Sequence, residues 1–262
     1  MNLTKQDINF ILDLLQGSGK IALKYFESKN LRIDIKKDKS PVTLADIEIN
    51  KLIVGELTTK FPNIGIVSEE GDWFPENKNT FWLVDPIDGT RSFVKNEKEF
   101  TINIGLIKNN KPIYGFIFVP TVQDKKEGIL YYTDENYRAI KFDLNNNKKE
   151  FLSIKNKNLS LNKILEKPIK IISSGDSQIC NIANIISKIK VKELVNMSSS
   201  LKFCKMAEGY ADLYLHCKQT HEWDTAAGHA IVLASGGRIE NIDGNYLLYG
   251  KTRFLNPEFV VY

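Results

Sequence analysis

Apolar residues at Ile8, Ile11, Leu12, Leu15, Ala22, Leu23 and Phe26 follow the spacing of one helix face, and Thr4-Lys5-Gln6-Asp7 precedes them in the arrangement of a capping box. This predicts an amphipathic N-terminal helix whose role is packing. Thr43-Leu44-Ala45-Asp46 repeats that spacing ahead of Ile49, Leu52, Ile53 and Leu57, which predicts a second helix. The period then shortens. Runs of β-favouring residues at 64–68, 81–84, 100–107 and 112–119 predict strands, and Lys108-Asn109-Asn110-Lys111 joins the last two as an antiparallel hairpin. The polar, unpatterned stretches Asn145-Asn146-Asn147-Lys148-Lys149 and Lys155-Asn156-Lys157-Asn158 mark a division near 145–165. The expectation is an N-terminal α+β lobe over 1–150 and a C-terminal α/β lobe over 151–262. In the second lobe a strand at 169–173, a helix at 177–188, and a helix, strand and helix around 199–208, 211–216 and 224–235 alternate as α/β folds do.

Composition narrows the class. A chain of 262 residues buries a large core as one broad domain or two smaller ones. Its 36 basic and 32 acidic side chains leave a net charge of +4 with no long like-charge block, which suits anionic small molecules and does not call for nucleic acid. Cys180, Cys204 and Cys217 are odd in number and lack a Cys-x-x-Cys spacing, so reduced thiols are expected, with neither a disulfide framework nor a zinc site. No run of about 18 apolar residues is present, and Met1 to Phe10 lacks a charged cap followed by an apolar core. A soluble, cytoplasmic protein is the expectation.

The candidate chemistry lies at Phe81-Trp82-Leu83-Val84-Asp85-Pro86-Ile87-Asp88-Gly89-Thr90. The apolar run predicts a buried strand that delivers Asp85 at its carboxyl end, with Pro86 stopping the strand. Gly89 allows close backbone approach to an anion, and Asp85 and Asp88 are the hard oxygen donors that Mg²⁺ prefers. Asp-Pro and Asp-Gly are also ordinary turn chemistry. Glu69 and Glu70 follow another apolar run, and Asp224 opens a small-residue helix, where an N-cap is the plain reading. His216, His221 and His229 show no ligand spacing and read as packing or surface groups, as do Trp223 and Tyr214. Haloacid-dehalogenase-like phosphatases use Asp-x-Asp-Gly-Thr; the extra residue here alters which carboxylate attacks and which protonates, and argues against that class. A binding module without turnover is a further alternative, opposed by the cost of burying several carboxylates without a cation.

Taken together, Asp38-Lys39-Ser40-Pro41-Val42-Thr43-Leu44-Ala45-Asp46, Ser68-Glu69-Glu70, the Asp85 to Thr90 segment and Trp223-Asp224-Thr225-Ala226-Ala227-Gly228 resemble the inositol monophosphatase family of Mg²⁺-dependent, lithium-sensitive phosphatases. The resemblance covers nearly the whole chain. It implies a layered α+β / α/β sandwich like that of inositol monophosphatase and fructose-1,6-bisphosphatase, in two lobes with the metal site between them. It implies two or three Mg²⁺ ions. Glu69, Asp85 and the Ile87 carbonyl hold one ion in this reading, and Asp85, Asp88 and Asp224 a second. Thr90 and Asp46 are the implied catalytic pair, the hydroxyl orienting water and bonding back to the aspartate. Substrate meets Glu69, Ile87, Asp88 and Asp224, and the backbone N–H groups of Gly89 and Thr90 form a nest for its phosphate.

Within the family, Ser199-Ser200-Leu201-Lys202-Phe203-Cys204, Ala207-Glu208-Gly209, Ala211-Asp212-Leu213-Tyr214 and Phe254-Leu255-Asn256-Pro257 look most like the 3′(2′),5′-bisphosphate nucleotidase branch. That branch implies a small nucleotide as partner, with Ser199 and Lys202 on the phosphate that is not cleaved. Relatives acting on inositol phosphates or fructose 1,6-bisphosphate share the metal motifs, so an inositol-phosphate or broad-specificity sugar phosphatase is the alternative. No stable nucleic-acid partner or integral membrane segment is implied; a monomer or homodimer, and peripheral contact with the inner membrane, are both compatible with the sequence. Three departures stand out. Asp176 and His216 occupy positions where this branch tends to carry histidine and arginine, and Ser198 stands where glycine is common.

Overall fold

A computed structural model describes residues 2–28, 33–35, 41–71, 79–121, 127–174 and 189–262. The expected helix over 177–188, together with Asp38-Lys39-Ser40, Asp176 and Cys180, lies outside the described residues. Helix α1 spans Lys5–Phe26 and is closed by the expected capping box: Asp7 N–H donates to Thr4 Oγ1 at 3.2 Å, and Thr4 N–H donates to Asp7 Oδ2 at 2.9 Å. Strands β1 (Ile33–Ile35) and β2 (Pro41–Thr43) form a small antiparallel pair that leads into α2, Leu44–Lys60. Thr43 caps α2, and its N–H donates to Asp46 Oδ2 at 2.8 Å.

The first sheet runs in the order β3 (Gly65–Ser68), β4 (Thr80–Asp88), β5 (Thr101–Lys108), β6 (Lys111–Val119), β7 (Ile129–Thr133), β8 (Ala139–Asp143), β9 (Lys148–Phe151). Only β3 and β4 are parallel; every other neighbouring pair is antiparallel. The β5–β6 hairpin turns through Asn109 and Asn110, both left-handed at φ 50° and 62°, as a two-residue loop matched to strand twist requires. Pro86 does not stop β4 as its sequence suggested. The strand continues to Asp88, and its register shifts between the pairs Asp85↔Asn103 and Asp88↔Thr101. A bulge tolerates the missing N–H of proline.

After α3 (Thr90–Val94), within the crossing from β4 to β5, and α4 (Leu161–Leu165), the chain builds a second sheet. Its order is β11 (Val191–Asn196), β10 (Ile169–Ser173), β12 (Leu213–His216), β16 (Phe259–Val261) and β14 (Ile239–Asn241). Helices α5 (Leu201–Ala207) and α6 (Glu222–Ala234) lie between the two sheets. The buried cluster there joins Phe81 and Leu83 of β4 to Phe203 and Ala226 of the helices and to Ile172, Tyr214 and Phe259 of the second sheet. On the opposite face of the first sheet, α1 and α2 cover Trp82, Ile104 and Phe116. Helix, sheet, helix and sheet therefore stack as the layered sandwich expected.

One contact fixes the spacing of the layers. Gly105 and Gly115 pair across β5 and β6, and a Cβ on Gly115 would stand 2.0 Å from the Ala227 carbonyl oxygen. Helix α6 thus rests on bare sheet backbone. The thiols differ from expectation: Cys204 is free and buried, but Cys217 is disulfide-bonded. Spacing along the chain does not report which sulfurs the fold brings together.

Candidate active site

The parallel pairing of β3 with β4 sets Glu69 beside Asp85: Ser68 pairs with Val84, and Glu69 N–H donates to the Val84 carbonyl at 3.1 Å. The Asp85 residue is 1% exposed. The bulge then carries the chain through Ile87 to Asp88 and to Gly89, whose φ of 91° is left-handed. A Cβ at Gly89 would lie 2.9 Å from the Glu99 carbonyl oxygen, so backbone angle and space both call for glycine. Thr90 starts α3, and its hydroxyl donates to the Ile87 carbonyl at 3.0 Å. Its single proton is therefore committed away from Asp46, the partner that the sequence suggested.

Asp88 is anchored from two sides. Its Oδ2 accepts the Ser200 N–H and, at 3.4 Å, the Asn103 side-chain amide. Ser200 Oγ in turn donates to Asn103 Oδ1 at 2.7 Å and lies 2.8 Å from Thr101 Oγ1. Sequence reasoning missed Thr101 and Asn103, and it noted Ser200 only as part of a motif and not as an anchor of Asp88. The signal was present, since Thr101-Ile102-Asn103-Ile104 places two polar residues on one face of an otherwise apolar strand.

Asp224 comes from the other side, in the first turn of α6. It is the third helical residue and not the N-cap; its Oδ2 accepts the N–H of the capping residue His221 at 2.8 Å. Glu69, Asp85, Asp88 and Asp224 all line one cleft of about 530 Å³. Ile87, Gly89, Thr90, Ser199 and Lys202 line it as well. Asp46 is the one candidate outside those walls. It is buried at the start of α2, where its Oδ2 also accepts the Thr43 hydroxyl at 2.6 Å.

The cleft concentrates negative charge away from water. Burial, followed by the charges of Glu69, Asp88 and Asp224, pushes Asp85 well above the usual carboxylate range, and a hydrogen bond with Glu69 adds to this. Burial and the charges of Asp88 and Glu69 do the same to Asp224. Burial also raises Asp88, though the Lys202 ammonium pulls the other way. Lys202 is 6% exposed; its Nζ donates to the Ser199 carbonyl at 2.6 Å, and burial lowers its pKa. Ser199 adopts a left-handed φ of 56°.

A divalent cation fits this set. The side-chain donors are all oxygen, and Asp85 Oδ1 is buried with no hydrogen-bond partner. Clustered carboxylates that hold each other's pKa up are the groups a hard cation stabilises in ionised form. Among the described residues no three acidic, histidine or cysteine side chains already stand as a ready-made metal-holding group. The histidines take packing roles. His216 stacks on Phe259 at 4.8 Å and lies 2.8 Å from the Tyr214 hydroxyl, and burial with the Lys202 charge lowers its pKa to about 3. His221 stacks on Trp223 at 4.4 Å, and burial lowers His229 to about 3. No described helix is long and apolar enough to cross a membrane.

Residues 4–258 match the inositol monophosphatase family. The chain is 36% identical over 265 residues to the 3′(2′),5′-bisphosphate nucleotidase CysQ of Buchnera aphidicola subsp. Acyrthosiphon pisum, covering 98% of this chain and 94% of that protein. It is 33% identical to the protein of the same name from Salmonella typhimurium, covering 96% of this chain and 97% of the other. The crystal structure of CysQ from Bacteroides thetaiotaomicron, a bacterial member of the inositol monophosphatase family, matches at a TM-score of 0.73 and 30% identity, covering 98% of this chain and 97% of that one.

Proposed function

The chain belongs to the inositol monophosphatase family, and we propose that it is a 3′(2′),5′-bisphosphate nucleotidase, a metal-dependent phosphatase that hydrolyses adenosine 3′,5′-bisphosphate to AMP and phosphate. The 5′-phosphosulfate analogue is a second substrate in this reading. The observation that carries it is one cleft in which Glu69, Asp85, Asp88 and Asp224 converge while Ser199 and Lys202 line the same wall. Relatives at 36% and 33% identity carry that activity in their name.

Glu69, Asp85 and the Ile87 carbonyl hold one Mg²⁺ in this reading, and Asp85, Asp88 and Asp224 a second. When bound, Mg²⁺ neutralises phosphate charge and lowers the pKa of water at the site. The chain's own groups do the rest. Asn103 and Ser200 hold Asp88 at a fixed angle. Gly89 and Thr90 offer backbone N–H groups to the phosphoryl oxygens. The Thr90 hydroxyl, turned from the Ile87 carbonyl, orients the attacking water and passes its proton toward Asp46. Water then attacks phosphorus as that proton leaves it, the bond to the ribose 3′-oxygen breaks, and the departing oxygen takes its proton from solvent water. Lys202 and Ser199 serve the second phosphate, so that binding energy remote from the reacting bond orients it.

The test compares phosphate release from adenosine 3′,5′-bisphosphate and inositol 1-phosphate, with Mg²⁺, with and without lithium, for wild type and Lys202→Ala. The expected result is a lithium-sensitive nucleotide preference that falls at least about tenfold in the variant, as loss of a charge-assisted contact implies. Equal or reversed preference in the wild type would move the chain to the inositol-phosphate branch.

A further inference from the structure

Glu222 is a carboxylate with no part in that chemistry, yet its side chain is 0% exposed and it stands two residues before Asp224. Its oxygens accept the N–H groups of Gly250 at 2.7 Å and Lys251 at 2.9 Å, and the Lys251 ammonium lies 2.7 Å away. Lys251 Nζ also donates to the Leu248 carbonyl and, at 3.1 Å, to Asn256 Oδ1. Asn256 completes the circuit. Its side-chain amide donates to the His221 carbonyl at 2.8 Å and to Thr225 Oγ1 at 3.0 Å. These bonds bracket Asp224 on both sides, and β13 (Thr220–His221) pairs with β15 (Leu255–Asn256) alongside them.

The far side of the same segment holds the first sheet. Asn110, in the β5–β6 turn, donates its side-chain amide to the Tyr249 carbonyl at 2.6 Å, and its own carbonyl accepts Tyr249 N–H at 3.0 Å. Phe254 packs on Phe81 of β4 at 6.2 Å and on Trp223 of α6 at 6.4 Å. Arg253 and Phe254 sit at left-handed φ values of 62° and 52°, and non-glycine residues keep such angles only where the surroundings over-determine them. Residues 248–256 therefore bond at one edge to the sheet that supplies Asp85 and Asp88 and at the other to the helix start that supplies Asp224.

We infer that the 248–256 segment, locked by the Glu222–Lys251 ion pair, is the strap that holds Asp224 in register with Asp85 and Asp88, which makes Glu222 and Lys251 positioning residues for the cation these three aspartates share. The inference rests on the proposed metal reading. It separates the two ions: a site that needs Asp224 depends on the strap, whereas one built from Glu69, just past β3, and from Asp85 and the Ile87 carbonyl of β4 does not.

Calorimetric titration of Mg²⁺ into the metal-free full chain, without substrate, tests this with wild type, Glu222→Gln, Lys251→Met, Lys251→Arg and Asp224→Asn. Lys251→Met is the safer variant for folding, because that side chain is 31% exposed. The expected result is a shared site weakened about 10-fold to 100-fold in Glu222→Gln and Lys251→Met, the range for groups that orient a metal's ligands. The other site stays unchanged, and Lys251→Arg recovers most of the affinity. A strap that only stabilised the fold would lower the melting temperature and leave both affinities alone. If Asp224→Asn removes one ion while folded Glu222→Gln and Lys251→Met keep both, the strap's role falls and the metal reading stands. If Asp224→Asn keeps both ions, the metal reading falls and takes the inference with it.

Discussion

On one face of the first sheet, α1 and α2 lay Ile11, Leu15, Ile49 and Ile53 over Trp82, Ile104 and Phe116. On the other face, α6 sets Ala226 and Ala227 against Gly105 and Gly115. The first face interdigitates long side chains, which repack when one is shortened. The second brings helix backbone to sheet backbone, where no rotamer can yield. Asp85 and Asn103 point to this second side, with Leu83 and Gly105, by the alternation of β4 and β5. The close contact lies where, in the proposed reading, two layers share one ligand set, and distance there becomes a functional quantity.

Gly115→Ala is the strongest way to break this contrast. The added Cβ would meet the Ala227 carbonyl oxygen at 2.0 Å and its carbonyl carbon at 2.8 Å, and both are backbone atoms. Helix α6 must shift and carry Asp224 with it. Overpacking of this kind typically costs about 1–3 kcal/mol or more, and misplacing reacting groups by about 1 Å costs on the order of 100-fold in rate. Phosphate release at saturating Mg²⁺, beside a denaturant titration, should show both losses. Full turnover in the variant would mean that the layers are not locked by this contact.

Leu15→Ala probes the opposite face and should separate stability from chemistry. Leu15 is 0% exposed in the α1–α2 layer, and truncating a buried leucine costs about 2–5 kcal/mol. Denaturant unfolding should report that loss, while kcat and the Mg²⁺ dependence per folded molecule stay as in wild type. A changed Mg²⁺ dependence would show that this layer also sets the cleft.

The two faces differed in how far the sequence revealed them. Helix α1, its Thr4–Asp7 cap and its buried stripe were legible because every contact that defines them is local or periodic. The acidic residues of the cleft were legible through motif and resemblance, and the fold brings Glu69, Asp85, Asp88 and Asp224 into one cavity. What escaped was tertiary. Pro86 read as a strand end because a bulge depends on the partner strand, and Asp224 read as an N-cap although His221 holds that position. Gly105 and Gly115 carry no signal until a helix lands on them. Glu222 carries no signal of its own, since its partner Lys251 lies 29 residues away along the chain.

Polar closure gives the contrast its finest test. At the end of α5, on the α6 side of the sheet, Glu208 accepts the Tyr131 hydroxyl at 2.6 Å and faces Lys141 at 2.7 Å and Lys205 at 2.8 Å. Burial raises its pKa, but the Lys205 charge and the bonds from Lys141, Lys205 and Tyr131 outweigh it and hold the carboxyl below its usual range. A carboxylate with a depressed folded pKa adds stability above its unfolded pKa of about 4.3. That contribution fades as pH falls through the lower folded value. Glu208→Gln should therefore be less stable than wild type by about 1 kcal/mol near neutral pH, a modest amount for a partly buried ion cluster. The gap should begin to close as pH drops below the unfolded value of about 4.3 and vanish only below the depressed folded value, where both chains are neutral at this position. Urea titrations of both proteins across that range measure it directly. A gap that stays constant with pH would assign the loss to packing against Tyr131 and not to charge, and would leave the two faces of the sheet alike in their use of ionised groups.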